Sequence, residues 1–366
     1  MKILINTPNI EKMGGVASYY KVLKDRFTKD VEYFTVDSRT NNDSIWYVLV
    51  RFLKDNWKFY QKLKKGNYDI IHLNPSLDFK AIFRDGIFLL NAKRFKVKVV
   101  VFIHGWKKSF ERKIKSSQLF KYIYFKSDAF IVLSYEFKDK LSQMGYKKKI
   151  YVETTAVDDD LLLGFDINLI IKKIEKIKSD FNILFLARIE KAKGIYEAID
   201  TYKILKNKFQ FVNMTIAGNG SEFIKVQGYV KKNKIHDIQF VGYVQGELKK
   251  KVFLSSDIYF FPTYGEGMPS SVLEAMAFGL PVVTRPVGGL KDFFVNGKMG
   301  FITKSKDPEV LTELIEKLII DQELRNNISK YNCNYAKEHF LASKVAKRVE
   351  NIYKEVISNK NWNAAS

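Results

Sequence analysis

DIYFFPTYGEGMPSSVLEAMAFGLPVVTR, residues 257 to 285, contains a whole structural unit in one line. Two apolar runs, DIYFFP (257–262) and PVVTR (281–285), flank a glycine-rich turn and a stretch of helical length. A helix inserted between two strands carries the chain back across the sheet, so the two strands run parallel. The turn holds Glu266 between Gly265 and Gly267, and the helix holds Glu274. Why a chain of net charge +22 places two acids around one loop is the functional question.

The same alternation extends in both directions. KILIN (2–6), YDIIHL (68–73), KVVVFIH (98–104) and AFIVLS (129–134) form a first series of short apolar runs. NILFLA (182–187), NMTIAG (213–218), IQFVG (238–242), DIYFFP and PVVTR form a second. Amphipathic stretches such as GVASYYKVLKDRF and GIYEAIDTYKILK lie between them, which predicts an α/β chain with parallel sheets and ligands at the carboxyl ends of the strands. The acidic, strand-poor stretch around Asp158 to Asp160 separates the series, and the tail predicts two helices, 322–336 and 340–358.

Length agrees: 366 residues suit two domains better than one core. A hydrophobic fraction of 46% excludes a disordered or fibrous chain. The single Cys333 permits no internal disulfide, and no clustered Cys/His pattern suggests zinc. The N-terminus lacks the apolar stretch of a secretory signal, and no run reaches membrane-spanning length. The expectation is a soluble or peripherally bound protein of a reducing compartment. Residues 51–150 hold 24 Lys/Arg against 8 Asp/Glu, so one region carries most of the basic field. Nucleic acid, an anionic membrane or an acidic substrate would answer it.

Four segments of the second series place chemistry where a strand meets a helix. Arg188 and Lys193 follow NILFLA, Gly218-Asn219-Gly220 follows NMTIAG, Tyr243-Val244 follows IQFVG, and Glu266, Ser270 and Glu274 follow DIYFFP. A guanidinium fork and an ammonium suit a diphosphate. Glycines let backbone N–H groups approach an anion, and carboxylates accept from sugar hydroxyls. A nucleotide sugar satisfies all of them.

EGMPSSVLEAMAFGLPVV resembles the E-x7-E signature of retaining glycosyltransferases of family 4, and LARIEKAKG, AGNG, FVGYV, VGG and NGKMGF follow that family's order. MGGVASY, YDIIHLN, HGW and SYEFK resemble its first-lobe landmarks. The resemblance implies the GT-B fold, with two Rossmann-like domains facing across a cleft and no metal requirement. It implies an acceptor domain at 1–162, with a C-terminal helix at 342–366 returning to it, and a donor domain at 163–341. Arg188 and Lys193 would bind the donor diphosphate and neutralise the leaving group, Gly15 would close over the phosphates, and Gly218 and Val244 would take part in donor binding. Glu274 would accept from the ribose. Glu266 would hold the transferred sugar, helped by the amides of Gly267 and Met268, and His104 would lie near that sugar and the acceptor. Departures are Ala187 where the family often has glycine, TTAVD (154–158) at the interdomain turn, and Asp292 where a glutamate is common.

The implied donor is a UDP- or GDP-sugar, and the implied acceptor a saccharide, lipid-diphosphate-linked or small and soluble. Two basic aromatic segments, 45–65 and 107–126, each read as an amphipathic helix for an anionic membrane or as an ordinary helix against a sheet. A nucleic-acid-binding reading of the basic region leaves the Arg188, Lys193, Glu266 and Glu274 set unexplained. Plainer readings stand beside several residues: a capping box for Ser271 to Glu274, a surface ion pair for Arg188 with Glu190, a tight turn for Gly14-Gly15, and a core histidine for His104. His72, His236, His339 and Cys333 read as structural.

Overall fold

The computed structural model describes residues 1–12, 14–36, 44–106, 108–175 and 180–358. Met13 of the MGGVASY motif, Lys107 of the second basic segment and residues 359–366 of the expected C-terminal helix lie outside them. The chain divides into two compact units: Met1–Thr155 with Ala342–Ser366, and Ala156–Leu341.

The first unit is built from β1 (Lys2–Pro8), α1 (Gly15–Leu23), β2 (Asp30–Val36), α2 (Ile45–Lys65), β3 (Ile70–Leu73), α3 (Phe79–Arg94), β4 (Lys98–Ile103), α4 (Lys108–Ser116), α5 (Gln118–Tyr124), β5 (Ala129–Val132), α6 (Tyr135–Gln143) and β6 (Ile150–Val152). Its strands are all parallel, in the order β2-β1-β3-β4-β5-β6. Strands β3 and β5 are buried along their whole length, as are β1 and β4 apart from end residues, which explains their unbroken runs of Ile, Val and Phe. Phe59 of α2 and Phe88 of α3 stack at 4.3 Å between ring centroids, with Phe34 edge-on at 5.2 Å to Phe59.

The second unit contains α7 (Ile167–Glu175), β7 (Phe181–Leu186), α8 (Ile195–Lys208), β8 (Val212–Ala217), α9 (Phe223–Lys232), β9 (Ile238–Gly242), α10 (Gly246–Ser255), β10 (Ile258–Phe261), α11 (Ser270–Ala277), β11 (Val282–Thr284), α12 (Leu290–Phe293), β12 (Gly300–Ile302), α13 (Pro308–Ile320) and α14 (Gln322–His339). Its sheet, also parallel, runs β12-β11-β10-β7-β8-β9. The strand order reverses between β7 and β10, the position where doubly wound sheets open a crevice for ligands.

The units part at Thr155/Ala156, seven residues before the expected 162/163 boundary. Val157 N–H donates to Phe340 O at 2.8 Å, the 3₁₀ turn Asp159–Leu162 packs on α10, and Lys250 Nζ donates to Leu163 O, so this segment belongs to the second unit. The basic segment 107–126 is two short helices and not one. Ser117 ends the first and caps the second, accepting from Phe120 N–H at 3.1 Å. Ile114, Phe120 and Tyr124 turn inward, leaving Leu119 and Tyr122 exposed.

The last described helix, α15 (Ala342–Ser358), belongs to the first unit. Glu350, 3% exposed, accepts from Thr28 N–H at 2.5 Å, Lys29 N–H at 3.0 Å and Thr28 Oγ1 at 2.8 Å. Arg348 grips Glu153 through Nε and Nη2 at 2.9 to 3.1 Å. Glu350→Ala strands three donors together, and at about 1–3 kcal/mol for a buried group left unpaired it is expected to lower the denaturant midpoint of the first unit. Chemical unfolding followed by hydrogen exchange at Thr28 and Lys29 checks this, and unchanged protection there would refute it.

Candidate active site

The site in the second unit starts from backbone geometry. The 3₁₀ turn Lys191–Lys193 ends at Gly194, which has φ +76° and caps α8. A Cβ there would fall 2.2 Å from Pro262 O, so the loop after β7 lies directly against the end of β10. Gly218, at φ +133°, would bring a Cβ to 1.9 Å from Ala187 O, and its N–H donates to Gly242 O at 2.6 Å. Tyr264 N–H donates to Ala192 O at 3.0 Å, Ile189 N–H to Asn219 O at 3.0 Å, and Gly289 N–H to Gly267 O at 2.8 Å. The loops after β7, β8, β9, β10 and β11 are thus stitched into one rim.

This rim brings Lys193 and Glu266 together. Lys193 Nζ lies 2.5 Å from Glu266 Oε1, with the side chains 11% and 17% exposed, and Thr263 Oγ1 donates to the same oxygen at 3.1 Å. Both bonds end on Oε1, which leaves Oε2 to accept from a ligand. Lysine has three N–H donors, and this pair uses one.

Glu274 is buried on α11, where Lys249 of α10 meets its Oε1 at 2.5 Å. It caps nothing. The helix begins at Ser270 with Pro269 as N-cap, so Glu274 lies too far along for a capping box, and Ser271 Oγ lies 2.7 Å from the Tyr259 hydroxyl instead. Arg188 is 69% exposed and pairs with Glu190 at 2.7 Å, as its surface-pair reading has it. Such a pair contributes about 0–1 kcal/mol, so a phosphate can displace it readily. Val244 and Met268 are buried, whereas Tyr243 is half exposed.

Gly15 and His104 lie in the first unit. Gly15 is the first residue of α1. His104 follows β4, stacks on Phe102 at 3.8 Å and reaches Asn74 Oδ1 with Nε2 at 2.8 Å. The Tyr20 hydroxyl donates to the same Oδ1 at 2.9 Å, and Asn74 Nδ2 donates to Asn6 O at 2.7 Å. An oxygen that only accepts makes His104 Nε2 the donor and leaves Nδ1 as the acceptor. His72 continues the chain: its Nε2 lies 3.0 Å from the Tyr20 hydroxyl and its Nδ1 2.5 Å from the Tyr353 hydroxyl of α15. Burial, with His72 beside it, pushes the His104 imidazole down to about 3, and burial does the same to His72.

Lys249, Asn74 and Tyr353 were not legible as site residues. Lys249 stands in a Lys249-Lys250-Lys251 run whose members are indistinguishable until α10 is placed. Asn74 and Tyr353 are 279 positions apart in the chain, and only the fold joins them to His104 and His72.

The two six-stranded parallel sheets with their helices, one sheet in each unit, match the GT-B fold of glycosyltransferases. The model for "Glycosyl transferases group 1" matches residues 166–335 and that for "Glycosyltransferase Family 4" matches residues 28–161. The chain belongs to this glycosyltransferase family. An uncharacterized glycosyltransferase of Methanocaldococcus jannaschii is 27% identical over 82% of this chain and 79% of its own. The capsular polysaccharide biosynthesis glycosyltransferase CapM of Staphylococcus aureus is 30% identical over 51% of this chain and 50% of its own. The N,N'-diacetylbacillosaminyl-diphospho-undecaprenol alpha-1,3-N-acetylgalactosaminyltransferase of Campylobacter jejuni is 26% identical over 70% of this chain and 67% of its own. Among solved structures, sucrose-phosphate synthase from Thermosynechococcus elongatus superposes with a TM-score of 0.76 at 16% identity, covering 98% of this chain and 100% of that one. Anabaena HepE in complex with UDP-glucose gives 0.69 at 18% identity, covering 97% and 100%.

Two outcomes are expected. Gly218→Ala forces a side chain into a left-handed conformation at a cost of about 1–3 kcal/mol before any clash, so it should lower the Tm measured by calorimetry; an unchanged Tm would contradict the geometry. In the unfolded chain His72 and His104 take up protons near pH 6.5, whereas in the folded unit they do so only near pH 3. The unfolded state therefore binds more protons in that window, and stability falls as the pH drops from 6.5 toward 3. His104→Gln keeps a donor for Asn74 and removes one of the two groups, so its loss of stability with acid should be shallower than wild type. Equal slopes would disprove the buried neutral imidazole.

Proposed function

We propose that this glycosyltransferase acts with retention at the anomeric carbon, moving a sugar from a UDP- or GDP-sugar to a saccharide borne on a lipid diphosphate, in cell-surface polysaccharide assembly at the inner face of the cell membrane. The observation that carries the reading is the Lys193–Glu266 pair at the strand-order reversal between β7 and β10. It sets a cation for phosphate and a carboxylate for sugar hydroxyls side by side. The capsular relative and the relative named for a diphospho-undecaprenol substrate support the polysaccharide and lipid-linked parts, and HepE with UDP-glucose supports the donor. Among the described residues no helix is long and apolar enough to cross a membrane, and the reading takes the membrane association as peripheral.

In this reading Arg188 leaves Glu190 for the donor diphosphate, and Lys193 keeps one N–H on Glu266 while directing the others to the phosphates. Gly218, Val244 and Gly15 offer backbone around the nucleotide. Glu274, fixed by Lys249, accepts from the ribose. Glu266 Oε2 and the amides of Gly267 and Met268 hold the transferred sugar. As the bond from the anomeric carbon to the phosphate oxygen breaks, the two cations stabilise the developing negative charge, the kind of preorganised electrostatic effect that is usually the largest in such reactions. The acceptor hydroxyl attacks the same face and its proton passes to the departing phosphate oxygen. His104, neutral and with Nδ1 as acceptor, orients a hydroxyl of the sugar. No metal is required, because fixed cations do its work.

Arg188→Ala is expected to lower turnover about 10²-fold with near-native stability, measured with the donor that raises the Tm in a panel of UDP- and GDP-sugars. Wild-type turnover in that variant sinks the assignment. Activity should persist in EDTA, and an activity that vanishes there and returns with a divalent ion would overturn the metal-free reading.

A further inference from the structure

Helix α2 turns its apolar stripe the wrong way for a folded monomer. Trp46, Leu49, Val50, Leu53 and Trp57 follow one another at helical spacing, and they are 77, 47, 60, 58 and 64% exposed. A sheet-packed helix buries such a stripe, yet among the described side chains of this helix only Phe59 and Leu63, near its end, are buried. Tyr47, Arg51, Lys54 and Lys58 form the neighbouring stripe, with the Arg51 guanidinium over the Tyr47 ring at 5.7 Å. Six Lys/Arg stand against the single Asp55 along the helix.

The exposed face continues onto the next helices. Phe52 of α2 stacks on Phe83 of α3 at 5.8 Å, and Phe79 and Phe83 are 73% and 47% exposed. Leu119 and Tyr122 of α5 extend it, with Lys126 Nζ 3.8 Å from the Tyr122 ring centroid. Between α2 and α3 a cleft of about 540 Å³ opens on this face. Leu49, Phe79 and Phe83 line it along with Asn74, Asp78 and Arg84, and Asn74 is the residue that holds His104.

We propose that the face formed by α2, the first turns of α3, and α5 lies on an anionic bilayer, and that the cleft within it receives the hydrocarbon-proximal part of the lipid-borne acceptor. The cleft assignment rests on the lipid-linked acceptor proposed above; the bilayer assignment does not. Charge selects the occupant. A second copy would press like-charged lysine stripes together, whereas phosphate headgroups meet them with opposite sign. Trp46, Tyr47 and Trp57 have the amphipathic rings that settle at headgroup level, and the lysines beside them keep their ammonium groups in the polar layer. The cleft offers apolar rings and polar groups in one cavity, the pattern an amphiphile requires.

The test uses the full chain in sedimentation with vesicles of equal parts phosphatidylglycerol and phosphatidylcholine, against phosphatidylcholine alone. Binding is expected on the anionic vesicles and at least about tenfold weaker on the neutral ones. Trp46→Ser/Leu53→Ser/Trp57→Ser should abolish it, and Lys54→Ser/Lys58→Ser should weaken it about tenfold or more. Equal binding to both vesicles, no binding at all, or wild-type binding by the triple variant overturns the bilayer face. So does a dimer that the triple variant converts to monomer. For the cleft, n-dodecyl β-maltoside below its micelle concentration should raise the Tm where maltose does not, and Ser76→Trp in the lining should remove that shift while keeping vesicle binding. A shift that survives Ser76→Trp, or none in wild type, overturns the cleft assignment. The donor-induced Tm shift belongs to the other unit and should persist in every variant; its loss in the triple variant would show these side chains to be structural and overturn their assignment to a docking surface.

Discussion

The second unit depends on the reversal of strand order between β7 and β10. On one side of it crossovers lead outward through β8 and β9, and on the other through β11 and β12, so the loops leaving β7 and β10 diverge and a notch opens above their carboxyl ends. Only close backbone contact holds such a notch in shape. Gly194 against Pro262 O and Gly218 against Ala187 O provide that contact, and they fix the distance over which Lys193 can reach Glu266. A partly buried ion pair is a weak source of stability, because desolvation offsets the attraction. Its presence at the notch is better understood as a preset arrangement of charge, held by glycines that have no side chain to keep them apart.

Most of this frame is legible in the residues, and what is not has a physical cause. Central strands such as KVVVFI and FNILFL announce themselves because both faces are covered. The strands that escape notice, DVEYFTV of β2, IYV of β6 and GFI of β12, all lie at sheet edges, where half-exposed positions admit polar side chains and three residues suffice. The two cations and Glu266 stand out because each follows a strand at a turn, and Glu274 because it lies in the helix that follows directly. The partner of Glu274 does not, since nothing local distinguishes Lys249 from the lysines beside it. The capping-box spacing of Ser271 and Glu274 is real, but the helix takes Pro269 as its N-cap, two residues before Ser271, and makes the coincidence inert.

The two basic segments, alike in composition, part company in the fold. Segment 107–126 breaks at Ser116-Ser117 and turns Ile114, Phe120 and Tyr124 into the core, leaving only Leu119 and Tyr122 exposed among its described apolar side chains. Segment 45–65 stays whole and turns its stripe outward. Composition cannot separate these outcomes. Placement decides, because α2 follows an edge strand and covers the sheet only with its last turns, whereas α4 and α5 must cross between the interior strands β4 and β5.

The placement of α15 has a consequence for how the molecule is made. Its Tyr353 closes the hydroxyl–imidazole chain to His72, and its Glu350 occupies the amides of Thr28 and Lys29, so the unit whose strands leave the ribosome before those of the second lacks a wall until α15 has been synthesised. The intervening unit, contiguous in the chain, has all its strands and helices before then. Translation therefore finishes the two halves in the reverse of the order in which it begins them, and the earlier half waits with open polar groups where its neighbours will dock.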